Sequence, residues 1–341
     1  MWRKVMMFSS TRVVRLVFVA LGVGIVALLV DRSVVASVNV SDVASLAESP
    51  DLGESSEQRH RRRLPRLKKT ADGELVPDVP ASAVIVYSPK TGRVLWEDNS
   101  REQRSIASIT KVMTVLVFLE EDQDLSQEIT VQRSEVRRAS VTYLRSRERV
   151  TLEHVLHLAL IASDNVAARV LARVSSLGTE RFIQRMNEKA RELGLEATRF
   201  SDPSGLDAGN LSSAYDLSRL IVFAASDERI GKIMRKSTYR LRTNRRRVNI
   251  RNTNKLLQNG LRKDVYGGPW GIGEKVEVRA AKTGYIREAG FCLAILLRLP
   301  RGEDIAVVLL GARSNVSRFR ETQRLVNWLV GNMEGARSST P

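Results

Sequence analysis

The spacing of apolar positions divides this chain into stretches of different kinds. Residues 16–30 are apolar without a polar interruption. Residues 37–79 show no hydrophobic period and read as a tether rather than a packed element. At 82–98 the pattern is that of paired strands, Ala83-Val-Ile-Val-Tyr-Ser and Arg93-Val-Leu-Trp. Between them stands Pro89-Lys-Thr-Gly92, with the proline and glycine a tight turn asks for. A helical period then predicts helices over 109–121, 151–162, 165–174, 179–193 and 213–225. Strand character returns at 275–281, 289–299 and 305–311, ahead of a last helix at 317–330. Strands at both ends of a helical middle predict an α/β chain of the α+β kind. Its antiparallel sheet is built from both ends of the domain, with a helical subdomain inserted.

The boundaries that follow are 1–36 for a signal peptide or signal anchor, 37–79 for a disordered charged linker, 80–335 for the folded domain and 336–341 for a flexible tail. Arg3, Lys4, Arg12 and Arg15 precede the apolar run. At ~1.5 Å per helical residue, residues 16–30 reach ~22 Å, short of the ~30 Å hydrocarbon core, as in a secretory signal. Val34-Val35-Ala36 offers cleavage after Ala36, and an uncleaved anchor in contact with the membrane is the alternative. Either way the basic flank stays inside and the remainder is exported, to the periplasm or the outer face of the cytoplasmic membrane.

Charge and cysteine content narrow the chemistry. The single cysteine, Cys292, excludes an internal disulfide and a Cys-rich metal site, and its apolar surroundings read as those of a buried thiol. Residues 80–341 carry 43 basic and 29 acidic side chains, net +14, with many of the cations between 232 and 251. That stretch lacks the interleaved aromatics of a nucleic-acid stacking platform, so the expected polyanions are lipid head groups and envelope polymers. His154 and His157 are three apart on a predicted helix, but no third ligand stands at matching spacing, and no metal or other cofactor is expected.

The candidate chemistry lies in Ser105-Ile-Ala-Ser108-Ile-Thr-Lys111-Val-Met. There a hydroxyl and an amine are one helical turn apart, and a neutral amine could take the serine's proton. Ser163-Asp164-Asn165 follows the second apolar helix, and Lys282-Thr283-Gly284 stands at the end of a late strand. Lys90-Thr91-Gly92 has the same letters as the last but follows Pro89 and reads only as a turn. Together, in this order, the three motifs resemble the signature of penicillin-interacting serine enzymes.

The wider resemblance is to the D-alanyl-D-alanine carboxypeptidases, the low-molecular-weight penicillin-binding proteins of peptidase family S11. It is carried by Ile106-Ala-Ser-Ile-Thr-Lys-Val-Met-Thr, Met186-Asn-Glu-Lys-Ala-Arg-Glu-Leu-Gly-Leu, Thr198-Arg-Phe-Ser-Asp-Pro-Ser-Gly-Leu and Ala281-Lys-Thr-Gly-Tyr. Thr142-Tyr-Leu-Arg-Ser-Arg and Arg251-Asn-Thr-Asn-Lys-Leu are most similar to the subgroup that includes DD-endopeptidases.

The resemblance implies a β-lactamase/DD-peptidase-like fold and a peptidase acting on peptidoglycan stem peptides, with β-lactams as inhibitors and no nucleic-acid partner. Ser108 would be the nucleophile, Lys111 its base and Ser163 the relay to the leaving amine. Asn165, Lys282, Thr283 and Gly284 would bind substrate, and the backbone N–H groups of Ser108 and Tyr285 would form the oxyanion hole. For Lys111 to act as a base its pKa must fall, which burial, the charge of Lys282 and the helix N-terminus would all favour. A β-lactamase is the enzymatic alternative, but no Glu-x-x-Leu-Asn pattern occurs between Asn165 and Lys282. A non-catalytic envelope-polymer-binding protein is the other.

Overall fold

The computed structural model describes residues 64–257 and 276–338, with side chains to residue 332. The apolar run 16–30 and the cleavage site at Ala36 lie outside the described residues. The chain enters through β1 (Arg66–Lys69) and β2 (Leu75–Asp78), then β3 (Ala83–Ser88), β4 (Arg93–Asp98) and the short β5 (Arg104–Ser105). A 3-10 turn, Ala107–Thr110, leads into α1 (Lys111–Phe118). The helical middle holds β6 (Glu128–Thr130), α2 (Arg133–Val136), β7 (Arg149–Thr151), α3 (Leu152–His157), α4 (Asn165–Val174) and α5 (Gly178–Glu192). It closes with β8 (Leu211–Ser212), α6 (Ala214–Ser226) and α7 (Glu228–Met234). The chain then runs through β9 (Thr238–Arg242), β10 (Arg247–Arg251), β11 (Glu277–Ile286), β12 (Gly290–Arg298), β13 (Asp304–Ala312) and α8 (Asn315–Ser338).

The main sheet has the order β11-β12-β13-β3-β4, antiparallel throughout, so β3 and β13 join the two ends of the domain side by side. Alternation assigns its faces. Val84, Val86, Leu293, Ile295, Val307 and Leu309 pack against Phe319, Leu325 and Val326 of α8. Ile85, Ala294, Leu296, Val308 and Leu310 face the helical middle instead. Both faces are covered, which is why β12 and β13 read as continuous apolar runs. All of α1 is buried, making it the central helix.

The structure differs from the sequence reading in four places. The expected tether gives way at residue 66 to the β1–β2 hairpin, whose turn has Gly73 at φ 85° and whose Lys68 Nζ lies 2.7 Å from Asp98. β1 is exposed along its whole length and three of its four residues are charged, so it shows no alternation that marks a strand. β11 runs to Ile286, so Lys282-Thr-Gly284 lies within a strand and not at its end. α8 continues to Ser338, past the predicted helix end at 330 and into the predicted tail. The basic stretch 238–251 is a hairpin, with Tyr239, Leu241, Val248 and Ile250 turned inward between outward arginines.

Candidate active site

Ser108 sits on a turn held from two sides by glycines. Ala107 has φ 49°, a left-handed conformation that turns the chain sharply just before the serine. Gly205 has φ 78°, and a Cβ there would stand 2.1 Å from the Ala107 carbonyl oxygen and 2.9 Å from the Ser108 nitrogen. A Cβ on Gly284 would stand 2.7 Å from the Ile106 oxygen and 3.3 Å from the Ser108 nitrogen. Only glycine lets β11 and the 202–207 loop approach the Ser108 turn this closely. The loop is itself folded around Asp202, whose carboxylate accepts the backbone N–H of Ser204, Gly205 and Asp207.

Lys111 is fully buried under Ser108. Its Nζ lies 2.9 Å from Ser108 Oγ, donates to Asn165 Oδ1 at 2.7 Å and also donates to the Ser204 carbonyl. Asn165 Oδ1 and the Ser204 oxygen can only accept. A neutral amine therefore spends its two N–H on them and presents its lone pair to the Ser108 hydroxyl. Burial pushes the Lys111 pKa down to about 7, against the opposing pull of Asp164 and Asp202, with Arg169 adding to the fall. Lys282 is also lowered, first by burial and then by the charges of Lys111 and Arg318. The sequence reading gave Lys282 a share in depressing Lys111. In the structure burial is the largest cause for both lysines, and repulsion between two ammonium groups acts on each of them.

The second wall is set by the turn after α3. Residues Leu158–Ala162 form one π-helical turn, ending with Ser163 in a left-handed conformation at φ 58°. That conformation projects the hydroxyl, and Lys282 Nζ donates to Ser163 Oγ at 2.7 Å and to the Thr283 carbonyl at 2.9 Å. Asp164 caps α4, accepting from Ala167 N at 3.0 Å, and also holds Thr142 Oγ1 at 3.1 Å and the Tyr143 N–H. Burial raises its pKa, with these hydrogen bonds and Lys111 opposing. Thr283 Oγ1 donates to Thr253 Oγ1 at 2.7 Å, and Thr253 N–H donates to the Ile161 carbonyl at 3.0 Å. The three motifs thus meet: Lys111 links Ser108 to Asn165, and Lys282 links β11 to Ser163. The lysines are buried while both serine hydroxyls are on half-buried residues, so the hydroxyls rather than the amines are open to a ligand.

β11 is an edge of the main sheet, with Tyr285 exposed and stacked on Phe291 at 4.2 Å between ring centroids. Arg318 of α8, also buried, donates to the Gly284 carbonyl at 2.9 Å and the Cys292 carbonyl at 3.2 Å. Ser140, which accepts from Asn165 Nδ2 at 3.3 Å, Thr253, Ser204 and Arg318 complete the site and were not singled out from the sequence. Thr253 and Ser204 lie in segments quoted for the resemblance, but the contacts of all four cross tens of residues, and nothing local to them gives their roles. Two of them act through backbone or loop geometry. Burial pushes the Cys292 thiol up to about 11, as expected of a structural cysteine. His154 bonds the Tyr239 hydroxyl and His157 the Lys236 amine, and among the described residues no cluster could hold a metal ion.

Comparison with known proteins agrees with this geometry. Residues 69–314 match the family described as D-alanyl-D-alanine carboxypeptidase. The D-alanyl-D-alanine endopeptidase of Pseudomonas aeruginosa is 31% identical over 259 residues, covering 75% of this chain and 79% of that protein. A D-alanyl-D-alanine carboxypeptidase of Bacillus subtilis is 31% identical over 261 residues, covering 74% of this chain and 63% of that protein. The crystal structure of the Streptomyces K15 DD-transpeptidase shares the fold with a TM-score of 0.66 at 24% identity, over 75% of this chain and 98% of that one. The chain therefore belongs to the D-alanyl-D-alanine carboxypeptidase family of serine peptidases, among whose members the endopeptidase-like subgroup is well represented in its likenesses.

Proposed function

We propose that this D-Ala-D-Ala peptidase cleaves peptidoglycan stem peptides outside the cytoplasmic membrane, through an acyl-enzyme on Ser108, and that penicillins acylate the same hydroxyl. The observation that carries the mechanism is Lys111 Nζ, 2.9 Å from Ser108 Oγ with its other polar partners both obligate acceptors. Ser108 Oγ attacks the scissile carbonyl as its proton passes to the Lys111 lone pair. The tetrahedral oxyanion is stabilised by the backbone N–H groups of Ser108 and Tyr285. Ser163 passes a proton to the departing amine, leaving an ester on Ser108 that water hydrolyses.

Lys282 and Thr283 take the substrate's terminal carboxylate. That negative charge restores the protonated form of an amine which burial otherwise disfavours. Asn165 is committed at both ends, to Lys111 and to Ser140, so its first task is to position the base. The carboxylate and amide of an extended substrate lie along the open side of β11.

The test is digestion of purified peptidoglycan followed by separation of the fragments. Dimers converted to monomers mean endopeptidase activity, and pentapeptides converted to tetrapeptides mean carboxypeptidase activity. Neither product would refute the assignment. Ser108→Ala should lose all covalent labelling by a fluorescent penicillin, and labelling that persists places the nucleophile elsewhere. Export rests on the apolar run 16–30 with its basic flank. Alkaline phosphatase fused after residue 79 should be active in cells, and an inactive but intact fusion would contradict it.

A further inference from the structure

One surface beside the cleft has no part in the chemistry above. On the β9–β10 hairpin, Arg242 stands directly opposite Arg247, Arg240 opposite Asn249 and Thr238 opposite Arg251. These six residues share the exposed face of the ribbon, and none of them is acidic. The like charges of Arg242 and Arg247, facing each other across the two strands, are destabilising unless an anion neutralises them. None of its arginines forms an ion pair with a described residue.

The acid held by the hairpin's turn is already spent. Glu148 is buried beneath the turn, with Arg246 Nε at 2.7 Å, and it binds the Arg145 N–H. Burial pushes its carboxyl up, but Arg246 and Arg145 outweigh that and hold it below the usual range. This pair, with Asn244 Oδ1 accepting from Arg149 N at 2.9 Å, clamps the hairpin to the 143–149 segment, whose exposed Arg145 and Arg147 side chains form no ion pair within 4.0 Å of a described residue. Glu128 pairs with Arg149 at 3.7 Å, and Glu153 lies near Tyr239 on the ribbon's other side. Both ends of the basic surface reach the cleft. Thr253, two residues past β10, bonds Thr283, and the Val141 carbonyl accepts from Asn165 N–H at 2.9 Å.

We propose that this arginine face binds a linear wall polymer bearing an oxyanion on each repeat and leads it to the rim of the cleft. Along a strand, residues two apart on one face are ~6.8 Å from each other, so Arg240 and Arg242 present a regular row rather than a single pocket. Guanidinium groups pair with phosphate and carboxylate oxygens alike. A membrane fits the face less well. It would press on the cleft's own border, and among the described residues none of the exposed large apolar side chains lies in the hairpin or in 143–149. Nucleic acid fits less well because the exposed face of the ribbon carries no aromatic residue.

The binding part of this proposal is independent of the peptidase reading, and the cleavage part rests on it. The test uses the full chain and the triple variant Arg240→Gln/Arg242→Gln/Arg247→Gln. A control of equal charge loss, Lys90→Gln/Arg93→Gln/Arg301→Gln, alters exposed positions outside the hairpin. Probes are poly(glycerol phosphate) and polyglutamate, which separate a phosphodiester source from a carboxylate one, with anionic phosphatidylglycerol vesicles and duplex DNA beside them at matched anion concentration.

The face variant should weaken binding of at least one polymer about tenfold at low salt. Its slope of log K against log salt should flatten by about 2, at ~0.7 per lost contact, while the control changes little. Turnover of a short soluble D-Ala-D-Ala peptide should stay within about twofold, and cleavage of intact wall should fall. Equal losses in both variants, or tighter binding to vesicles or DNA than to either polymer, overturn the proposal. A wild-type chain that binds polymer as stated yet cleaves no peptide would overturn the peptidase reading and leave this one standing.

Discussion

At Lys111 the sign of the pH effect follows from burial. Its pKa falls from 10.5 to about 7, so the neutral base gains population as pH rises through 7. The acylation rate of Ser108 by a penicillin, followed by stopped flow, should therefore climb about tenfold per unit below pH 7 and level off above it. A flat profile across pH 5.5–8 would mean another group takes the proton. Lys111→Arg keeps the positive charge at every pH and should lower acylation by roughly 10²–10⁴-fold without restoring a pH dependence. Folding is linked in the same direction. A lysine with a depressed folded-state pKa costs most below about pH 7, where the buried amine must stay charged, and that cost is relieved as pH rises towards the unfolded value. The serine and lysine of this pair were legible in the sequence because they are neighbours on one turn. The Ser204 carbonyl that fixes the lone pair was not, because any residue supplies a carbonyl.

At the scale of elements, the second wall depends on how one turn ends. The apolar run 158–162 continues the α3 pattern, and from the sequence the whole of 151–162 read as one helix. The π turn and the left-handed Ser163 that finish it come from tertiary packing, with Asp164 N–H bonded back to the Leu158 carbonyl. Asp164 then serves two elements, as the cap of α4 and as the anchor of the 142–143 segment. Asp164→Ala should remove a helix cap and strand a buried N–H, costing about 2–4 kcal/mol in urea unfolding. Because Asn165 and Ser163 flank it, kcat should fall by more than KM changes, and Asp164→Asn, which keeps an acceptor oxygen, should recover part of both. An Asp164→Ala enzyme with wild-type stability and kcat would show that the cap does not organise the site. The hairpin 238–251 illustrates the opposite failure of legibility. Its Tyr-x-Leu and Val-x-Ile alternation is regular, but each run is five residues long and arginine-rich, so charge outweighs period in the pattern.

For the whole molecule, the sheet is finished only when the last strands arrive, since β3 pairs with β13 across most of the chain. The sequence announced this closure through strand patterns at both ends, although it could not show that the final helix also reaches the site. α8 covers one face of the sheet with Phe319, Leu325 and Val326, and the same helix sends Arg318 to the Gly284 carbonyl beside the Ser108 turn. Stability and site geometry are therefore joined at its first two turns. Phe319 is fully buried, and Phe319→Ala should cost about 3–5 kcal/mol, a large share of the ~5–15 kcal/mol that holds a domain of this kind together. If α8 is part of the cooperative unit, one urea transition at a lower midpoint should be seen by both tryptophan fluorescence and penicillin labelling. A variant that loses labelling at a urea concentration where the fluorescence is still native would show instead that α8 and the site come apart before the sheet does.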